Sequence, residues 1–229
     1  MKYFRFLKVA VASLVLALVP AVAFAASNST FNQTINAGTL TADIMDASRV
    51  SVGSPSVSMT AKNFSFNCQA GGSASTGTFG SNTERAYVSN GNAANNGWTL
   101  TVAATGGATA RWQNGGATQF IDFNDPTGTT AGCSDGADAD TTSGQMSLDP
   151  SVGTLTADCA TCSTANVSKG SSASFNQGTV DSITLLNAAA SSDDVWRGYL
   201  TGVGVTQTIP AETPANSYTL DLTLTVTAS

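Results

Sequence analysis

The chain of 229 residues contains no histidine, and only 10% of its residues are charged. The absence of histidine excludes the imidazole base of serine and cysteine hydrolase triads. Nine Lys and Arg residues stand against fifteen Asp and Glu, and they form no basic stripe of the kind that binds a phosphate backbone. We therefore expect no imidazole-based catalysis and no nucleic-acid partner.

Other catalytic signatures are also missing. The sequence has no Gly-x-Ser-x-Gly and no glycine-rich loop before a helical pattern. Two carboxylates across a cleft are enough to hydrolyse a glycosidic bond, but only Glu84 and Glu212 are glutamates, and the aspartates read best as solvated loop residues. The sequence identifies no catalytic residue, and we expect the protein not to be an enzyme.

One long apolar run is present, and it lies at the N-terminus. Val9–Val19 follows three basic residues and precedes Ala23-Phe24-Ala25. This order is typical of a secretory signal peptide cleaved after Ala25, and the run is shorter than the roughly 20 residues that span a bilayer. We expect residues 1–25 to be a signal peptide and residues 26–229 to form one domain, secreted and either extracellular or associated with a cell wall.

The four cysteines are Cys68, Cys133, Cys159 and Cys162. An even number in an oxidising compartment favours disulfides, and four cysteines allow three connectivities. Cys159 and Cys162 can close a small loop, or Cys133 can reach into this segment. A Cys-x-x-Cys pair is also half of a zinc site, but the other cysteines are single and histidine is absent, so disulfides are favoured.

Strict alternation of apolar and polar residues marks Trp98–Val102 and Tyr218–Ala228. This period of two is typical of strands with one face in a core and the other in solvent. Shorter runs separated by Gly, Asn and Pro turns predict further strands, including Thr30–Ile35 and two within Val57–Phe66, with Gln69–Asn82 as a loop. The sequence predicts an all-β fold: an antiparallel β-sandwich or barrel-like single domain with long loops rich in Gly, Thr and Asp.

Acidic residues gather in the irregular segment 124–144 and immediately before it. Asp122, Asn124 and Asp125 come first, and three closely spaced carboxylates follow. These three are the candidate metal ligands: Asp135, Asp138 and Asp140. Hard oxygen ligands at close spacing are what Ca²⁺ requires, although the closing glutamate of the twelve-residue calcium loop is missing. Ca²⁺ is the one cofactor that the sequence suggests, and a solvated acidic turn is the alternative.

The three tryptophans differ in their surroundings. Trp98 and Trp112 lie in strand patterns, so we predict that both pack in the core. Trp196 stands beside Arg197-Gly198-Tyr199 in a predicted connection. There it is a candidate surface contact that would stack on a sugar face, with capping of the core as the alternative.

Gly97–Val102 resembles the first Trp-x-Leu signature of the WxL domain, a secreted β-rich module of bacterial cell surfaces. Ser182–Ala188 is similar to the stretch before the final strands of that domain, and Val205–Ile209 with Tyr218–Leu224 is similar to its closing strands. The second Trp-x-Leu of the family falls near the C-terminus, where this chain reads Leu222-Thr223-Leu224.

The resemblance implies non-covalent attachment to peptidoglycan or another cell-wall polymer, with a surface or adhesive role. Together with Trp196, the motif positions make up the candidate wall-binding set: Trp98, Leu100, Leu222 and Leu224. Other surface proteins, or further copies of the chain, are the remaining expected partners. The alternative function is a structural subunit of a surface fibre, in which the Thr-lined terminal strand pairs with a neighbour's open edge.

Overall fold

Antiparallel strands build the fold, and the computed structural model describes residues 32–92, 96–136, 140–190 and 195–229. The fifteen strands in these ranges are β1 Leu40–Met45, β2 Ser75–Phe79, β3 Arg85–Asn90, β4 Trp98–Ala104, β5 Trp112–Asn114, β6 Phe120–Ile121, β7 Met146–Asp149, β8 Thr154–Ala157, β9 Val167–Lys169, β10 Ala173–Ser174, β11 Ser182–Ala188, β12 Trp196–Thr201, β13 Val203–Gln207, β14 Tyr218–Thr219 and β15 Leu222–Ala228.

The strands form four sheets, all paired antiparallel. Sheet I has the order β1-β3-β12-β8, sheet II β10-β7-β13-β2, sheet III β15-β4-β11-β9 and sheet IV β14-β5-β6, and none closes into a barrel. Short 3₁₀ turns are the only helical elements in the described ranges. The all-β antiparallel prediction is confirmed. No helix in the described part of the chain is long and apolar enough to cross a membrane.

Two units divide the chain, Met1–Asn36 and Ala37–Ser229. Within the first, residues 32–36 are described, and they form no strand. The predicted strand at Thr30–Ile35 is therefore wrong for residues 32–35, and its first two residues lie outside the described ranges. The second unit contains all fifteen strands.

Three chain segments pass directly from sheet II to sheet I or back. The segments β2–β3 and β12–β13 bend at Gly80 and Gly202, and β7–β8 bends at Pro150–Gly153. Both glycines have positive φ, and the Gly202 N–H donates to the Gly80 carbonyl over 2.9 Å. A Cβ at Gly80 would lie 3.0 Å from the Thr201 Cα, so the bends stack closely. We call this stack the corner; through it, sheets I and II share three continuous segments.

The core takes its buried side chains from sheets I, II and III. Alternate residues of β4 point inward, and Trp98 and Leu100 are at most 1% exposed. The Trp98 ring lies 5.2 Å from the ring of Trp196 in β12. A register shift in β11 lets the consecutive residues Leu185 and Leu186 both be buried. Large aromatic and aliphatic side chains contribute most of the burial energy of such a core.

The strands predicted within Val57–Phe66 are wrong, because this segment forms no strand. The Thr60 N–H donates to the Thr76 carbonyl of β2 over 2.7 Å, which holds the segment beside sheet II at that point. Beyond it the chain runs over the surface, and Phe64 and Phe66 are 50% and 75% exposed. The alternation that predicted a buried face instead places two rings in solvent.

The loop prediction for Gln69–Asn82 is also wrong, because it contains β2, which pairs with β13. The sequence Ser-Thr-Gly-Thr-Phe has the composition of a turn. Packing explains why a glycine stands in this strand. A Cβ at Gly77 would lie 2.5 Å from the Met59 sulfur, so the absent side chain makes room for the neighbouring segment.

Candidate binding groove

A groove of about 220 Å³ opens between residues 60–69 and residues 209–218. Its base includes Ser75 of β2 and Ile121 of β6. The side chains that give it chemical character are an ammonium, three amides or hydroxyls and two aromatic rings: Lys62, Gln69, Thr213, Asn216, Phe64 and Tyr218. The volume is smaller than that of a pocket for a whole drug-sized ligand. The groove therefore suits part of an extended chain.

Backbone hydrogen bonds hold the two walls together. Gln69 and Ile209 exchange N–H···O bonds of 2.8 and 3.0 Å, and the Glu212 N–H donates to the Ser65 carbonyl over 2.8 Å. Glu212 has a φ of 60°, the left-handed conformation that turns the chain between two prolines of the second wall. The Tyr218 hydroxyl donates to the Pro214 carbonyl over 2.7 Å. These contacts fix both walls, in which Tyr218, the first residue of β14, is the one residue that belongs to a strand.

An aromatic pair stands at the edge of the groove. The rings of Phe64 and Phe66 meet edge to face with centroids 5.0 Å apart, a favoured aromatic geometry. Burial of the phenol raises the pKa of Tyr218, so its hydroxyl stays neutral and can donate or accept a hydrogen bond. Apolar ring faces beside amide and ammonium groups can bind a polymer that has apolar faces and polar edges.

No match was found among known protein families, curated proteins or solved structures.

The first Trp-x-Leu lies in the core, and the corresponding C-terminal positions lie on an edge strand. Trp98 and Leu100 are buried, whereas Leu222 is 38% exposed and Leu224 is half-buried on the edge strand β15. The predicted surface contact at Trp196 is wrong, because this residue begins β12 and is 1% exposed. Its indole N–H donates to the Ser163 carbonyl over 2.9 Å. Neither tryptophan can reach a ligand without opening the core.

The predicted calcium ligands are not brought together by the described residues. Asp135 is exposed, and Asp140 lies 3.4 Å from the Arg111 guanidinium and accepts the Thr142 N–H over 2.7 Å. Asp138 lies outside the described ranges. Within those ranges, no group of three or more His, Cys, Asp or Glu is placed to hold a metal ion.

Both disulfides are formed, Cys68–Cys133 and Cys159–Cys162, with Cα atoms 5.7 and 5.2 Å apart. The second is the small loop considered from the sequence. The first joins the chain just before Gln69, in the groove, to the acidic segment 65 residues away. Two disulfides and no free cysteine agree with an oxidising compartment.

A charged cluster lies beside the small disulfide loop. The Arg49 guanidinium forms bonds of 2.7 and 2.9 Å to the two oxygens of Asp158, and the Tyr87 hydroxyl donates to the same carboxylate over 2.7 Å. The hydrogen bond from Arg49, followed by that from Tyr87, lowers the pKa of Asp158 to about 2. Burial, together with the bond to Asp158, raises the pKa of Tyr87 to about 12.

This cluster predicts a loss of stability in acid. Asp158 has a folded pKa of about 2 against an ordinary value of 3.8, so its contribution is complete above about pH 4 and is lost as the pH falls through about 2. We expect Asp158→Asn to reduce the difference between urea midpoints measured at about pH 6 and about pH 2. Asp221→Asn, at an exposed carboxylate, is the control. An equal reduction in both variants would contradict the prediction.

Proposed function

We propose that the chain is a secreted protein that associates non-covalently with the bacterial cell wall, and that the groove is its contact site. The observation that carries the proposal is the exposed pair Phe64–Phe66 at the edge of a groove with amide and ammonium side chains. The predicted signal peptide and the two disulfides support export. The Trp-x-Leu resemblance supports the wall as the destination.

The chemistry of the groove suits a glycan strand with N-acetyl groups. The C–H faces of sugar rings pack on aromatic rings, while hydroxyl and acetamido groups exchange hydrogen bonds with amides. Gln69 and Asn216 supply amides, and Lys62 supplies a cation on an otherwise acidic chain. The buried Trp98 and Trp196 are excluded from this contact. The Trp-x-Leu motif therefore stabilises the fold, and the side chains of the groove bind the glycan.

Replacing Phe64 with alanine should weaken binding to insoluble peptidoglycan about tenfold. The ring loses on the order of 50 Å² of apolar contact, which corresponds to roughly 1.3 kcal/mol at 25 cal/mol per Å². Phe66→Ala should weaken binding by a similar factor. Co-sedimentation of the purified protein at increasing peptidoglycan concentrations gives the apparent affinities.

Val195→Ala is the matched control for this experiment, because Val195 is an apolar side chain that is 57% exposed and does not line the groove. It should bind as the unaltered protein does. If the unaltered protein sediments no more than an unrelated acidic protein, wall binding is wrong. If it sediments and both phenylalanine variants bind equally well, the groove is not the contact site.

A second function, a subunit of a surface fibre, is favoured by the open edge of β15. The Thr105 N–H donates to the Asp221 carbonyl, and the Ser229 N–H donates to the Gly97 carbonyl, both over 2.9 Å. Leu222 is the first residue of β15. In this register its N–H group points away from β4, and so does the N–H group of every second residue after it. No described strand pairs with these groups. Concentration-dependent filaments in electron micrographs would support the fibre, and a monomer at all concentrations would reject it.

A further inference from the structure

Contacts other than the disulfide hold the small loop that Cys159–Cys162 closes. The Asp158 N–H donates to the Arg197 carbonyl over 2.7 Å, and the Arg197 Nε–H donates to the Asp158 carbonyl over 2.9 Å. At the other end of the loop, the Trp196 indole N–H donates to the Ser163 carbonyl over 2.9 Å. Because β12 anchors both ends of the loop, the two sulfurs should stay close together when the bond between them is broken.

Cys162 is the inner cysteine of the pair, because it packs against the hydrophobic core. Its sulfur accepts the Arg197 main-chain N–H over 3.3 Å and lies 3.9 Å from the Val195 carbonyl oxygen. An N–H at this position stabilises a thiolate more than it stabilises a neutral disulfide sulfur, and the carbonyl oxygen can accept the S–H of a thiol. The reduced form of Cys162 therefore has a main-chain partner in either protonation state.

The turn between the two cysteines faces solvent. Ala160 and Thr161 are exposed, and Cys159 is half-buried beside them. Thiol–disulfide exchange is faster when the sulfur that leaves is a stabilised thiolate, and in this loop that sulfur is Cys162. The Cys68–Cys133 bridge lacks this arrangement, because within the described ranges no N–H donates to either of its sulfurs.

We propose that Cys159–Cys162 is a redox-active disulfide that oxidises dithiols on peptides or proteins. A partner thiolate attacks the Cys159 sulfur, a mixed disulfide forms, and Cys162 leaves as a thiolate held by the Arg197 N–H. The second partner thiolate then attacks the partner's own sulfur in the mixed disulfide and releases Cys159. The partner gives up two electrons and becomes a disulfide, and its two thiol protons pass through solvent to the two cysteines, which become a dithiol. This activity is separate from wall binding in the groove.

The first measurement uses the unaltered, disulfide-bonded protein. It is treated with dithiothreitol, quenched with iodoacetamide at increasing times, and mapped by peptide mass spectrometry. Cys159–Cys162 should be reduced about tenfold faster than Cys68–Cys133. Oxidised glutathione should then restore the bond, with the circular dichroism of the strands unchanged throughout. Equal rates for the two bridges, or loss of the strand signal when Cys159–Cys162 opens, would overturn the proposal.

Serine variants test which sulfur reacts with the partner. Cys162→Ser leaves Cys159 as the one thiol of the loop, and Cys159→Ser leaves Cys162. The probe is a peptide whose single cysteine carries 5-thio-2-nitrobenzoate, because the coloured group that leaves reports the attack. Cys162→Ser should react about tenfold faster than Cys159→Ser. Equal rates, or a faster reaction of Cys159→Ser, would overturn the assignment of Cys159 as the reacting sulfur.

Catalysis is tested with a peptide that has two cysteines and with oxidised glutathione as the final oxidant. A catalytic amount of the unaltered protein should accelerate formation of the peptide disulfide about tenfold. The double alanine variant of Cys159 and Cys162 should give no acceleration. That of Cys68 and Cys133 is the control and should keep it, at a temperature where the variant remains folded. No acceleration by the unaltered protein, or equal acceleration without Cys159 and Cys162, would reject the activity.

Discussion

Replacing Trp98 with alanine should lower the free energy of unfolding by about 3–5 kcal/mol. The indole is 1% exposed and packs against Trp196 at a ring separation of 5.2 Å, so its removal leaves a large cavity between sheets I and III. Domains are stable by only about 5–15 kcal/mol in total. A substantial fraction of the variant should therefore be unfolded, as measured by the urea midpoint and the circular dichroism of the strands.

Leu222→Ala is the informative control, because it alters the other Trp-x-Leu position. Leu222 is 38% exposed at the start of an edge strand, and its truncation should cost less than about 1 kcal/mol. Trp98→Phe should cost less than Trp98→Ala, since the Trp98 Nε1 has no acceptor among the described residues. Equal losses for Trp98→Ala and Leu222→Ala would contradict the placement of Trp98 in the core.

Removing the Cys68–Cys133 disulfide with a double alanine substitution should cost about 4 kcal/mol. The bridge closes a loop of 65 residues, and the entropy that a cross-link removes from the unfolded chain grows with loop length. The same relation gives about 1.5 kcal/mol for Cys159–Cys162, which joins residues three apart. Urea unfolding of the two double variants side by side measures the difference.

The long disulfide should also affect the groove, because Cys68 immediately precedes Gln69 in one groove wall. Its double alanine variant should bind peptidoglycan more weakly than the Cys159 and Cys162 variant, when both are assayed at a temperature where they remain folded.

In the unfolding experiment, the two double variants should differ. If removal of either disulfide lowers the free energy of unfolding by the same amount, the dependence on loop length does not explain the stabilisation in this protein.

Strands could be predicted where the segment itself shows strict alternation of apolar and polar residues. The alternation in Trp98–Val102 predicted β4, and the alternation in Tyr218–Ala228 predicted its neighbour β15. In contrast, β2 has the composition of a loop and depends on β13, which lies more than 100 residues later. The alternating run at Val57–Phe66 fails for the opposite reason. It has the pattern of a strand but runs over the surface beyond Thr60, and no strand forms there.

The candidate groove could not be predicted, because its two walls are distant in sequence and much of the first wall has the alternating pattern of a strand. Backbone hydrogen bonds between Gln69 and Ile209 and from Glu212 to Ser65 bring the walls together. Trp196 was misplaced because the residues before it resemble a connection, whereas pairing with Asn90 places it in a strand. The acidic segment was recognised as a group of oxygens. Composition alone does not tell that Asp125, and not Asp135, is buried.

The corner has a consequence for how the protein opens. Because β12 and β13 continue through Gly202 and pair with partners in both sheets, neither sheet can release its central strand alone. Hydrogen exchange reports the opening reactions that expose each amide. Amides on the two sides of Gly202 should therefore exchange with the same free energy of opening, as one cooperative unit that spans two sheets.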